Sequence, residues 1–289
     1  MVEIIFTYVL CFILRVVEYF GLHTDRTIIG EAVIHKILGI VIMIAVAKKL
    51  AYSAEDIGFT KGKSRWNILK GVAFGISAFI PAYVVEVLIT MNAGSFKALD
   101  VFVSTYAIDK NLGNRTAAVF FLICILGNVI NVVMEEGMFR GLFARILSQK
   151  HTFLATAVIT SVFFGMWHIV GPVRNYIEGT SSLTGMVVNS IILVASSTLV
   201  GLKFTMLTSM TGSLYFAMGD HFVNNTIVNL LHVITGSGAD EMMVVRVSIA
   251  QTISFLVVLA CYIKVRRDNA AEHASQAGFG ESRGNLGIQ

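Results

Sequence analysis

Between Ala117 and Leu147 the sequence is almost wholly apolar, and in its middle stands NVVMEEGMFR, Asn131 to Arg140. A run of this length and oiliness must cross a bilayer or be buried on all sides. The two adjacent carboxylates inside it are the strongest constraint on the fold. An ionisable side chain at the bilayer centre costs from about 2.5 to more than 10 kcal/mol, depending on the scale, so it faces the protein interior or a water-filled cavity and marks function. On a helix, Glu136 and Arg140 stand at i and i+4 with the acid N-terminal, the favourable order for an ion pair. Glu135 projects about 100° away, on the face that carries Asn131 and Asn128. One carboxylate thus has a cation in its own helix, and the other has a polar stripe without one.

The rest of the chain is built to match. It is 55% hydrophobic and 14% charged over 289 residues, with a mean hydropathy of +0.75 and two prolines, more apolar surface than a soluble domain of this size can bury. Runs of roughly 20 apolar residues are long enough to cross a hydrocarbon core of about 30 Å, and only helices span it as single continuous runs. The expected fold is therefore all-α and polytopic, with about eight transmembrane helices around a polar intramembrane cavity. The spans are expected near Ile4–Phe20, Ile28–Ala47, Ile68–Met91, Ala117–Leu147, Phe153–Val170, Leu183–Leu207, Ser213–Ile234 and Val244–Val265. The fourth is longer than a bilayer requires and should extend beyond it at its C-terminal end. The first lacks a small-residue cleavage site and is expected to stay as an anchor.

Residues 1–267 form the expected membrane domain. The tail 268–289, rich in Gly, Ser, Ala and Asn, has too little apolar surface to order itself and is expected to be disordered. Asn92–Arg115 has room for a short outer helix, and Ala51–Asn67 is expected along the membrane surface, with Trp66 where the chain returns to it. The net charge of +4 resides mainly in loops. Lys48, Lys49, Lys61, Lys63 and Arg65, then Arg145 and Lys150, then Lys264, Arg266 and Arg267 all fall on one side of an eight-span chain. By the positive-inside rule that side, with both termini, is cytoplasmic. Such scattered charge is no nucleic-acid surface. Cys11, Cys124 and Cys261 all lie in apolar segments, where they are expected to pack inertly.

Three polar elements on other spans can face Glu135. His168 closes FFGMWH in the fifth span; Trp167 beside it reads as an interfacial residue. Glu135 and His168 are symmetric about a turn near Lys150–His151. In an antiparallel hairpin each sits roughly 25 Å from that turn, at one depth, which suits an acid/base pair. In DHFVNN of the seventh span, His221 and Asn225 share a helix face, and Asn229 continues it. His232 falls near the helix end and reads as interfacial. Interhelical hydrogen bonding alone would also account for such a stripe. Two chemistries fit the set. In one, Glu135, aided by His168, is a general base that activates water, while His221 and Asn225 donate to an oxyanion. In the other, Glu135, His168 and His221 hold a zinc ion, although HExxH spacing is absent. Glu136 and Arg140 support either arrangement.

EEGMFR, FGMWH and HFVNN resemble, in order and spacing, the EExxxR, FxxxH and HxxxN motifs of the CAAX protease and bacteriocin-processing (Abi) family of intramembrane endopeptidases, and DIGFTKGKSRWNILKGV resembles the connection that enters the third helix there. The core resemblance covers about 55–231. It implies a glutamate-type protease with Glu135 and His168 as water activators, His221 and Asn225 as oxyanion hole and no firm cofactor, zinc being the alternative. The implied partners are a peptide or membrane-protein substrate and the lipid bilayer, and the implied setting is a prokaryotic plasma membrane. Members of this family also include non-catalytic immunity and regulatory proteins. A proton-coupled transporter is the third reading, though nothing in the sequence suggests the inverted repeats of many transporters.

Overall fold

Each of the eight apolar stretches contains a helix among the described residues. The computed structural model describes residues 1–27, 29, 32–62, 64–104 and 115–284, with the side chains of 64 and 272–284 excepted. The expected start of the second span at Ile28, the loop cation Lys63, the middle of the second long connection (105–114) and the last residues of the tail lie outside the described residues. In chain order the elements are α1 (Val2–Val17, continued by a wider π-helical turn Glu18–Leu22), α2 (Ile34–Lys49), α3 (Ser64–Asn92), β1 (Phe96–Val101), α4 (Ala118–Glu136, continued by a π-helical turn Gly137–Phe143), α5 (Ala144–Leu147), α6 (Phe153–Trp167), α7 (Val170–Ile177), α8 (Leu183–Thr211), α9 (Tyr215–Leu230), β2 (Leu231–Thr235) and α10 (Met243–Gly284).

Among the described residues, six rods are long and apolar enough to cross a membrane: Val2–Leu22, Arg65–Asn92, Ala118–Leu147, Phe153–Ile177, Leu183–Thr211 and Met243–Ala271. The protein is an integral, multi-pass membrane protein. The remaining two helices, α2 and α9, have 16 residues each, about 24 Å, less than a hydrocarbon core. Apolar side chains line the outward faces, such as Ile191 and Ile192 of α8 and Leu88 of α3, as lipid-facing surface requires.

Local sequence sets the ends. Thr152 caps α6 by accepting the Ala155 N–H at 3.3 Å, and Ser182 caps α8 by accepting the Gly185 N–H at 3.0 Å; each supplies an acceptor to an otherwise orphan backbone donor. Gly212 ends α8 at φ 62°, a conformation glycine adopts without steric cost. The third and fourth of these rods, Ala118–Leu147 and Phe153–Ile177, are joined by the short turn after Leu147 and form the expected hairpin.

Two expectations change. Between Asn92 and Arg115 the described residues hold strand β1 where a short outer helix was expected. It pairs antiparallel with β2, placing Leu99 opposite Val233 and Asp100 opposite His232. The seventh helix accordingly stops at Leu230, because the β-branched run Val233–Thr235 joins the pairing. His232 is then no interfacial residue. It is 2% exposed, stacks on Phe102 at 3.9 Å and contacts Asp240 at 3.2 Å. Asp240, outside the spans, is partly buried, which raises its proton affinity. His232 and Arg246 outweigh that and hold its carboxyl below the usual range. Helix α10 runs from Met243 past Asp268 to Gly284.

Two close approaches lock the bundle. A Cβ at Gly71 of α3 would lie 2.1 Å from the Phe216 carbonyl of α9, and one at Gly219 of α9 would lie 2.4 Å from the Ile68 carbonyl of α3. The two backbones touch, and only glycine fits. The connection after α2 also enters the protein: Ile57 is buried, and the Gly58 carbonyl accepts the Leu214 N–H at 3.0 Å.

Candidate active site

Glu135 lies on the last turn of α4 and is 3% exposed. Its Oε2 accepts the amide of Asn131 at 3.2 Å, one turn back as the helical period requires. Its Oε1 accepts the indole N–H of Trp167 at 3.1 Å. His221 brings Nε2 to 3.6 Å from Oε2, and Arg15 of α1 brings its guanidinium to 3.9 Å from Oε1.

Glu136 is fully buried. It accepts from Arg140 at 3.3 Å, the i,i+4 pair expected from the spacing, and meets Nδ1 of His221 at 2.8 Å. Arg140 belongs to the wider π-helical turn that begins directly after Glu136, a backbone feature that recurs at functional sites. Its guanidinium lies over the Phe164 ring at 4.1 Å. Gly201 of α8 makes room for it, since a Cβ there would sit 2.7 Å from Nη2.

His168 follows the last residue of α6. Helix C-termini leave carbonyls without intrahelical partners, and one of these, Phe164 O, lies 2.8 Å from His168 Nδ1. A carbonyl only accepts, so Nδ1 carries the hydrogen, and in the neutral ring Nε2 keeps its lone pair. His168 is half-buried and near enough to Glu135 and His221 for their charges to interact. His221 is held differently: its ring stacks on Phe204 at 4.8 Å, and its Nδ1 faces the acceptor Glu136. Asn225, 7% exposed, accepts the amide of Asn224 on its Oδ1 at 3.1 Å.

Glu135, Glu136, His168 and His221 are thus gathered, with Arg140 beneath them. Asn225 is one turn from His221, and its described contact is to Asn224. An open polar cavity around these groups is not shown among the described residues, where they pack as a buried polar cluster. No group of three His, Cys, Asp or Glu side chains among those residues is arranged to hold a metal ion. Glu135 is engaged by two N–H donors, whereas each histidine directs only Nδ1 to an oxygen acceptor.

Two contributors escaped the sequence reading. Trp167 is fully buried beside Glu135, where an interfacial position was expected. Arg15, 4% exposed, packs its guanidinium over Trp167 at 4.8 Å. The signal for Arg15 was the one that flagged Glu135, an ionisable group within an apolar span.

The fold and this cluster define a polytopic helical membrane protein with a carboxylate–histidine centre buried between its helices. Residues 117–227 match the family model of type II CAAX prenyl endopeptidase, Rce1-like, and all six expected site residues fall inside the matched stretch. No curated protein matches the chain.

Proposed function

We propose that this protein is an intramembrane endopeptidase in which Glu135 and His168 activate a water molecule while His221 and Asn225 stabilise the oxyanion. The Rce1-like match makes a protease the general class, and the finer assignment rests on the chemistry of the cluster. The observation that carries it is the state of Glu135: a buried carboxylate held by two N–H donors and set near a histidine whose free lone pair is fixed by Phe164.

In this reading water lies between two proton acceptors. As its oxygen bonds to the scissile carbonyl carbon, its proton passes to Glu135 and the carbonyl electrons move onto oxygen. Collapse of the tetrahedral species breaks the C–N bond, and the proton goes to the leaving amine. General-base catalysis contributes about 10²–10⁴ in rate, and each preorganised oxyanion donor about 10²–10³. For His221 the role carries a condition. Glu136 already takes the Nδ1 hydrogen, so Nε2 donates to the oxyanion only when the ring carries a second proton. The substrate is a peptide or membrane-protein segment reached within the bilayer, and the membrane is prokaryotic, with both termini cytoplasmic.

The test uses purified protein and fluorescence-quenched peptides ending in a CAAX sequence, with and without a prenyl group. Glu135→Gln preserves shape and should lower turnover per folded molecule by at least about 10²-fold. Near wild-type turnover in a folded Glu135→Gln variant would withdraw the assignment. Uncut peptides accumulating in cells that carry the variant, identified by mass spectrometry, would name the natural substrate.

A further inference from the structure

A chain of polar contacts leads from the interior of the bundle to Asn225, and its direction is set at the far end. Lys203 of α8 is fully buried. Its ammonium is ion-paired with Asp220 at 2.7 Å and donates to Ser254 Oγ at 3.1 Å and to Gln251 Oε1 at 2.9 Å, both on α10. An ammonium only donates, so the Gln251 oxygen must face it. The Gln251 amide nitrogen then points away and donates to Asn224 Oδ1 at 2.6 Å. With its oxygen so engaged, Asn224 donates through Nδ2 to Asn225 Oδ1 at 3.1 Å. The last amide is therefore oriented too: its oxygen is taken, and its NH2 remains to donate elsewhere.

Side-chain amides are nearly symmetric in shape, and their orientation follows from the hydrogen-bond network around them. Here the network is anchored by a charge that cannot reverse. We infer that Gln251, on a helix outside the Rce1-like match, is a positioning residue that fixes the Asn225 amide with its N–H donors available to the reaction centre. The inference rests on the proposed oxyanion role of Asn225. A helix that offers no group to the reacting atoms thereby governs the polarity of one that does.

Gln251→Glu isolates this effect, because it replaces one NH2 by oxygen and keeps the shape. The new carboxylate still accepts from Lys203 but cannot donate to Asn224. The Asn224 amide then turns its NH2 towards residue 251 and its oxygen towards Asn225, whose amide reverses and presents oxygen where a donor is needed. Turnover of the quenched CAAX peptides should fall by about 10²–10³, as for loss of an oxyanion donor, with KM within about twofold. Asn224→Asp, which accepts from Gln251 but cannot donate to Asn225, should do the same and carries the test if Gln251→Glu fails to fold. Ser254→Ala loosens Lys203 without touching the relay, so its turnover should stay within about threefold of wild type. In an Asn225→Ala background Gln251→Glu should cost no more than about twofold further, since residues acting through one group are not additive. If Gln251→Glu and Asn224→Asp fold and keep turnover within about threefold while Asn225→Ala is slow, the relay is wrong and the oxyanion reading stands. A loss expressed in KM at constant kcat also overturns the relay. Wild-type turnover in Asn225→Ala removes the oxyanion reading and the relay together.

Discussion

Trp167 donates its indole N–H to Glu135 Oε1 at 3.1 Å, from a ring that is fully buried. The adjacent hairpin helix therefore supplies a ligand to the buried carboxylate from the residue just before His168. Trp167→Phe removes the donor together with part of the ring that packs against Tyr8 and Phe139, and that lost packing is common to both backgrounds compared below. A hydrogen bond to a charged group contributes about 1.5–3 kcal/mol and one to a neutral group about 0.5–1.5. The variant should lose stability in the first range, and visibly less in a Glu135→Gln background. Unfolding in detergent of the four members of this cycle measures the difference; equal losses in both backgrounds would mean that the bond does not serve the charge.

Glu136 and Arg140 should behave as structural partners. Removing one member of a buried pair costs about 3–5 kcal/mol, because the other charge is left uncompensated. Glu136→Gln and Arg140→Ala are expected to leave less folded protein in the membrane, and for Arg140→Ala activity should fall in proportion. Glu136 also holds the Nδ1 of His221, so the small folded fraction of Glu136→Gln should turn over more slowly than that of Arg140→Ala. Folded yield and activity per folded molecule, measured side by side, decide it. Full yield from both variants would refute the structural role.

The purified enzyme should work without stoichiometric zinc. The spacing lacks HExxH, and asparagine at 225 is a poor zinc ligand. Elemental analysis should find far less than one metal per chain, with turnover retained after chelation and dialysis. Zinc near one per chain, with activity lost on removal and restored on return, would instead favour the metalloenzyme chemistry.

Orientation can be read with reporters. Fusions after Lys63 and after Arg267 should both report the cytoplasm, following the Lys and Arg bias of the loops. A signal from the opposite side at either junction would break the eight-span topology with inward termini.

What the sequence made legible was local or symmetric. The Asn131–Glu135 and Glu136–Arg140 contacts follow from a period of 3.6, and the meeting of Glu135 with the end of α6 follows from equal distances along a hairpin. Contacts without such a rule stayed hidden. Nothing in the spacing links Arg15 to Glu135, or Gln251 to Asn224, because those pairings depend on which helices become neighbours. Strand β1 was hidden for the same reason: Phe96–Val101 pairs with a segment more than a hundred residues away. Trp167 was misplaced by a sound general tendency, since tryptophan at a helix end usually marks the membrane surface, and here the helix end is inside the protein.

The contact of Gly71 with Gly219 bears on how a substrate reaches the centre. Backbones that touch without intervening side chains have no slack to absorb sliding or tilting, so α3 and α9 travel as one body. His221 and Asn225 belong to α9, so they are mounted on that rigid frame, and any opening that admits a peptide to the proposed centre would run along another seam.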